Sequence, residues 1–239
     1  MTAVDDTRRA ELAANLARVR ARIDAARSAA ARTDEVTLVA VTKTYPASDV
    51  ALLADLGVAD VGENKDQEAA PKAAGIGGRV RWHFVGQLQR NKAKSVSAYA
   101  DVVQSVDSVR LAAALDRGAA GHGRVLDVLI QVSLDGDPAR GGALPGSADP
   151  DRGLGAAAAA VAGASALRLA GLMAVAPLGA EADDAFARLA AIAADFRVDH
   201  PTATVLSAGM SDDLESAVSH GATHVRIGSA LLGKRHYLG

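Results

Sequence analysis

The chain of 239 residues contains no cysteine. That excludes disulfides, thiolate zinc sites and cysteine nucleophiles, and it suits the cytoplasm. It also has no strong excess of charge: a formal net charge of −2 offers no global attraction for nucleic acid or an anionic membrane. Any bound anion must therefore be held by a local site. No uninterrupted apolar run approaches membrane-spanning length. The N-terminus, MTAVDDTRRAELAANL, is charged within its first six residues and lacks the apolar core of a secretory signal. The expectation is a soluble, cytoplasmic protein.

What is present is the balance of a globular domain, 49% hydrophobic and 23% charged, on a chain long enough to bury a large core. Residues 1–33 read as an amphipathic helix: Leu12, Leu16, Val19 and Ile23 recur at spacings of four, three and four. The helix is expected to pack on its own domain. Short apolar runs then alternate with helical stretches. The expected strands are Leu38–Lys43, Asp60–Asn64, Arg81–Gly86, Val102–Val106, Val125–Ser133, Leu167–Val175, Thr204–Gly209 and His224–Gly228. Helices are expected near 48–57, 65–74, 88–99, 108–120, 153–164, 181–197 and 211–220. Gly57, Gly75 and Gly221 stand where helices should stop, and Asp107-Ser108 and Ser211-Asp212 where they should start.

Eight strands alternating with helices predict a parallel sheet, and eight is the number that closes a (β/α)8 barrel. An open doubly wound sheet would carry a glycine-rich phosphate turn after its first strand, and TYPASD stands there without glycine. The reading is one α/β domain over residues 1–239. The long stretch from Ser133 to Gly153, rich in Gly, Pro and Asp, then becomes a loop at the barrel mouth.

Barrel active sites form at the C-terminal ends of the strands. Those ends are mostly polar or glycine here, although the strand interiors are largely apolar. Lys43 ends the first strand, Asn64 the second, Gly86-Gln87 the third and Ser105 the fourth. Ser207, Gly209 and Ser211 follow the seventh, and Arg226, Gly228 and Ser229 the eighth. In the eighth strand, packing Val225 and Ile227 against helices turns Arg226 into the barrel. A buried guanidinium needs an acceptor, either a bound anion or a carboxylate such as Glu63. The loops SAGMSDD and RIGSALLG occupy the usual barrel phosphate positions, although Asp212 and Glu215 also fit an ordinary capping box. A lysine in a partly dry pocket near a fixed cation loses basicity and forms a Schiff base with an aldehyde. An aldehyde carrying a phosphate describes pyridoxal 5′-phosphate, and also some aldolase substrates.

Other signals are weaker. His220 and His224 have the spacing of helical zinc ligands, but Gly221 separates them, and no metal is expected. His83 faces either the pocket or the core. The basic stretch Gln89 to Lys94 reads as a solvated helix face.

The segments VAVTKTYP, VGENKDQE, WHFVGQLQRNK, GLMAV, LSAGMSDDLESAV and VRIGSALLG resemble, in order, the motifs of the pyridoxal phosphate homeostasis protein family, whose fold is similar to the N-terminal barrel of alanine racemase (fold-type III). The resemblance implies that Lys43 holds pyridoxal phosphate as an aldimine. It implies that Arg226 faces the pyridine nitrogen, Asn64 lies beside the ring, Met210 lines the pocket, and Ser211, Gly228 and Ser229 bind phosphate. With His83 and Ser207, these form the expected cofactor-binding set; no catalytic residue is firmly expected.

Racemases of this fold add a C-terminal domain that supplies a second base. Racemisation requires a proton acceptor on each face of the substrate, and none of Tyr45, Tyr99 or Tyr237 obviously supplies one. The expected function is therefore binding and homeostasis of the cofactor without robust turnover, with a small amino-acid racemase as the alternative. The expected partners are other B6 vitamers and apo-enzyme recipients, and a monomer is expected over a dimer.

Overall fold

The computed structural model describes residues 3–233; Tyr237 lies outside them. After α1 (Ala3–Ala29) the chain alternates as expected: β1 (Thr37–Val41), α2 (Ala47–Asp55), β2 (Asp60–Glu63), α3 (Asp66–Ile76), β3 (Arg81–Phe84) and α4 (Ala93–Tyr99). It continues with β4 (Val102–Val106), α5 (Val109–Gly121), β5 (Leu126–Gln131), α6 (Leu154–Ala162), β6 (Leu167–Met173) and α7 (Ala182–Asp199). It ends with β7 (Val205–Ser207), α8 (Leu214–Ser219), β8 (His224–Ile227) and α9 (Ser229–Leu232). The strands are parallel, each pairs with the next, and β8 closes on β1 through Val39 opposite Arg226. The result is a closed (β/α)8 barrel.

Alternation along each strand divides the side chains between two environments. Ala40, Val61, Val225 and Ile227 turn outward into one apolar cluster, where they meet Leu12, Leu16, Val19 and Ile23 of α1. Each of those four helix residues is buried, and each contributes about 1.5–3 kcal/mol of transfer free energy. That burial holds α1 across α8 and α9. Facing inward are a small apolar group, Val102, Leu129 and Met173, and a buried polar set that includes His83, Gln104, Ser207 and Arg226.

Several expected boundaries move. The helix expected near 88–99 begins as a 3-10 turn, Arg90–Lys92, and becomes α-helical only at Ala93. The helix expected from 211 starts at Leu214. Its capping box does not form: Asp213 Oδ1 accepts from the Met210 N–H at 2.5 Å, while Glu215 binds Arg22 at 2.7 Å. Gly75 lies inside α3, and the positive φ of 66° that ends this helix belongs to Gly77. The stretch after β5 folds back on itself through the bridges Val132–Ala143 and Leu144–Gly153.

Candidate active site at the barrel mouth

A cavity of about 690 Å³ opens at the C-terminal ends of the strands. Its wall comprises Val41, Lys43 and Tyr45 after β1, Asn64 after β2, Val85 and Gly86 after β3, and Val175 after β6. Met210, Ser211 and Asp212 come from the loop after β7, and Arg226, Gly228, Ser229 and Gly233 complete it. A larger groove of about 810 Å³ lies outside the barrel around α3 and α4. Its lining mixes small residues such as Ala70, Ala73 and Gly77 with Trp82, Tyr99 and Arg124, and the polar strand ends do not converge there.

Local structure presents Lys43 to the cavity. Thr42 and Lys43 sit on opposite sides of the end of β1. The Thr42 hydroxyl donates outward to Glu63 Oε1 at 2.7 Å. Lys72, arriving from α3, donates to the same Glu63 oxygen at 2.7 Å and to the Thr42 carbonyl at 2.9 Å. Burial pushes the Glu63 carboxyl up, and the Lys72 and Thr42 hydrogen bonds only partly oppose it. Thr44 has a φ of 70°, unfavourable for a β-branched residue, and its N–H donates to Glu68 Oε2 at 2.8 Å. Tyr45 donates its hydroxyl to the Gly233 carbonyl at 2.7 Å. Lys43 itself has no ion-pair partner among the described residues.

Asn64 and Arg226 supply the polar part of the interior. Asn64 Oδ1 is buried with no hydrogen-bond partner. A side chain at position 86 would place its Cβ 2.2 Å from the Asn64 carbonyl, so this close approach requires glycine. Arg226 is 5% exposed. Its Nη1 donates to Ser207 Oγ and its Nη2 to the Ala174 carbonyl, each at 2.8 Å. Burial lowers this guanidinium to about 10, which leaves it cationic at neutral pH. Two of its five N–H groups are committed in these bonds, and the side chain contributes to the cavity wall.

The loops after β7 and β8 meet. Ser229 Oγ donates to Ser211 Oγ at 3.2 Å, and the Ala230 N–H donates to the same oxygen at 3.3 Å. Gly209, at φ 90°, makes the turn that starts the first loop; a Cβ there would lie 2.6 Å from Ala217 Cβ.

Of the nine residues expected at the cofactor, the cavity gathers seven: Lys43, Asn64, Met210, Ser211, Arg226, Gly228 and Ser229. His83 and Ser207 are buried below the cavity and do not line it. Neither does Glu63 pair with Arg226: strand alternation turns its side chain outward to Lys72. His220 pairs with Asp183 at 2.8 Å, and His224 points into the lower barrel. No cluster of three or more His, Asp or Glu side chains suited to a metal occurs among the described residues. Sequence reasoning missed Gln104, Lys72 and the Tyr45 contact. Gln104 left a visible sign, a large amide inside the apolar strand VVQSV.

The chain matches the family model for the alanine racemase N-terminal domain over residues 14–236. A protein of Mycobacterium tuberculosis (strain H37Rv) named pyridoxal phosphate homeostasis protein is 45% identical over 249 residues, covering 95% of this chain and 94% of the relative. This chain belongs to the pyridoxal phosphate homeostasis protein family. Among solved structures, PipY of Synechococcus elongatus PCC7942 with pyridoxal phosphate bound superposes with a TM-score of 0.77 at 33% identity, covering 93% of this chain and all of PipY. Alanine racemase from Corynebacterium glutamicum shares the fold at a TM-score of 0.69 and 18% identity; the match covers 97% of this chain but only 62% of the racemase. No helix among the described residues is long and apolar enough to cross a membrane.

Proposed function

We propose that the chain binds pyridoxal 5′-phosphate in the mouth cavity, holds it covalently through Lys43 Nζ, and serves its homeostasis without robust turnover. The observation that carries this is the convergence of Lys43, Asn64, Arg226, Ser211 and Ser229 on one cavity. The PipY structure and the names of the curated relatives support it.

The residues fit that ligand. About 690 Å³ lies within the range of roughly 300–1,000 Å³ usual for small-molecule sites. Asn64 Oδ1 is an acceptor without a partner, and Arg226 is a permanent cation with N–H groups to spare. The Ser211 and Ser229 hydroxyls meet only each other and one backbone N–H, so they are free to reorient toward a phosphate. When bound, pyridoxal phosphate supplies an aldehyde that condenses with a primary amine. Lys43 offers that amine without first breaking an ion pair. Arg226, permanently protonated, would be the donor facing the ring nitrogen and would leave it unprotonated, which weakens electron withdrawal and suits storage over carbanion chemistry. Other B6 vitamers and apo-enzyme recipients would be its partners, with the protein acting as a monomer in the cytoplasm.

The test is a visible absorption titration with pyridoxal phosphate, followed by borohydride reduction and peptide mapping, alongside an amino-acid racemisation assay. The expected result is a yellow protein labelled at Lys43 with negligible racemisation. Labelling at another lysine would overturn the assignment, and racemisation lost with Lys43→Ala would make the protein an enzyme.

A further inference from the structure

Arg226 is a buried cation with no carboxylate in direct contact. Among the described residues Asp213 acts on it through space alone, and a line of hydrogen-bonded side chains crosses the barrel interior from Arg226 to the carboxylate of Asp60. Arg226 Nη1 lies 2.8 Å from Ser207 Oγ, which lies 2.7 Å from Gln104 Oε1. Gln104 Nε2 lies 2.8 Å from His83 Nδ1, and His83 Nε2 lies 2.8 Å from Asp60 Oδ1. His83, Gln104 and Ser207 are at most 2% exposed, and none of the four residues beyond Arg226 lines the cavity.

The two ends fix the direction of every bond. A guanidinium can only donate and a carboxylate can only accept. Ser207 Oγ accepts from Arg226, so its own proton goes to Gln104 Oε1. The Gln104 amide must then donate to His83 Nδ1, which carries no proton, and the ring proton on Nε2 goes to Asp60. Each neutral group turns its negative end toward Arg226 and its positive end toward Asp60. Such aligned dipoles reinforce one another where water is excluded.

We propose that Asp60, His83, Gln104 and Ser207 are positioning residues for Arg226, fixing which of its N–H groups face the cavity and tying the pocket floor to the lower end of the barrel. Held this way, the guanidinium cannot swing into the cavity to take up a phosphate or carboxylate. It is a fixed donor that selects a ligand presenting a neutral acceptor at depth. This deepens the pyridoxal phosphate reading and rests on it for the identity of that acceptor.

The chain itself is testable without any ligand. In full-length protein labelled with 15N-histidine, long-range proton–nitrogen correlation should show His83 as the neutral Nε2–H tautomer at neutral pH, with its signal assigned by loss in His83→Asn. A second measurement uses Gln104→Glu, which keeps size but cannot donate to Nδ1. There His83 should take a proton on Nδ1, pyridoxal phosphate affinity should fall about tenfold and the bound absorption band should shift. Gln104→Glu should still unfold cooperatively, which separates positioning from loss of fold. A wild-type His83 that is cationic, or protonated on Nδ1 alone, overturns the chain. Unchanged affinity and band position in Gln104→Glu overturn its positioning role. A wild-type protein that never takes up pyridoxal phosphate sinks the functional reading instead, and the His83 tautomer then decides the chain on its own.

Discussion

Lys43 and Lys72 approach the end of β1 from opposite sides, one from inside the barrel and one from the helix layer. Lys72 holds three atoms in place: its Nζ meets Glu63 Oε1 and the Thr42 carbonyl, and Glu63 in turn takes the Thr42 hydroxyl. Lys43 faces a cavity whose polar groups include Asn64 Oδ1, buried and unpartnered. The outer lysine is consumed by structure, while the inner one is held ready by it. A lysine committed to a buried carboxylate cannot act as a nucleophile without exposing that charge. The fold keeps the two tasks apart by turning Thr42 and Glu63 outward, where Lys72 of α3 meets them, and Lys43 toward the cavity.

The sharpest way to break this comparison is to remove each lysine in turn. Lys43→Ala should abolish borohydride trapping of pyridoxal phosphate and leave residual, reversible binding through the loops after β7 and β8. Its melting temperature should stay near that of the wild type, because no ion pair is lost. Lys72→Met should do the reverse. It strands Glu63 beside an unanswered desolvation cost and should lower stability by about 3 kcal/mol, measured by urea unfolding, with Lys43 still labelled. Adding Glu63→Gln to Lys72→Met should recover part of that loss. If Lys72→Met is neutral, the outer pair is not what holds the strand end.

Acid should weaken the lower end of the barrel. His224 is mostly buried, its Nδ1 is 2.9 Å from Thr223 Oγ1, and its ring centre is 6.4 Å from that of His83. Burial first, and then the neighbouring His83 ring and the cations Arg81 and Arg226, lower it from 6.5 to about 4, with Asp60 opposing. The unfolded chain therefore binds the proton more readily than the folded one. The stabilisation is complete above pH 6.5 and is lost as pH falls toward 4. Between pH 7 and 5 the expected loss is about 2 kcal/mol, and it should be much reduced in His224→Gln. Parallel acid sensitivity in the two proteins would assign the loss to other groups.

The architecture was legible because it rests on local regularities: period-two apolar strands, helices between them, and polar residues gathered at strand ends. The parity of Val225 and Ile227 correctly turned Arg226 inward. The same parity, applied to Val61, would have turned Glu63 outward and removed it as a partner of Arg226. What could not be read was depth. His83 and Ser207 share the inward face with the pocket residues, but strand stagger places them a layer below it, and no spacing in sequence encodes stagger across neighbouring strands. The Gln104–His83 pair was hidden for the same reason, and Lys72–Glu63 because it joins a helix to a strand. Asp212 and Glu215 failed as a capping box because nearby partners, Asp213 for the Met210 N–H and Arg22 for Glu215, took the roles that the motif reserves.

Asn64 offers the finest test of the distinction between groups used by structure and groups kept for a ligand. Its Oδ1 is buried without a partner, so the folded protein already bears the cost of desolvating it, typically about 1–3 kcal/mol. Asn64→Leu removes that polar group at similar volume and should leave stability unchanged or slightly improved. The same change removes an unpartnered acceptor from the cavity wall, so on the proposed reading pyridoxal phosphate affinity should fall by about tenfold. Opposite signs from one substitution are the expected outcome, read by urea unfolding without ligand and by absorption titration with it. A destabilised variant with unaltered affinity would mean that Asn64 serves the fold, and the line between the two sides of β1 would not extend to β2.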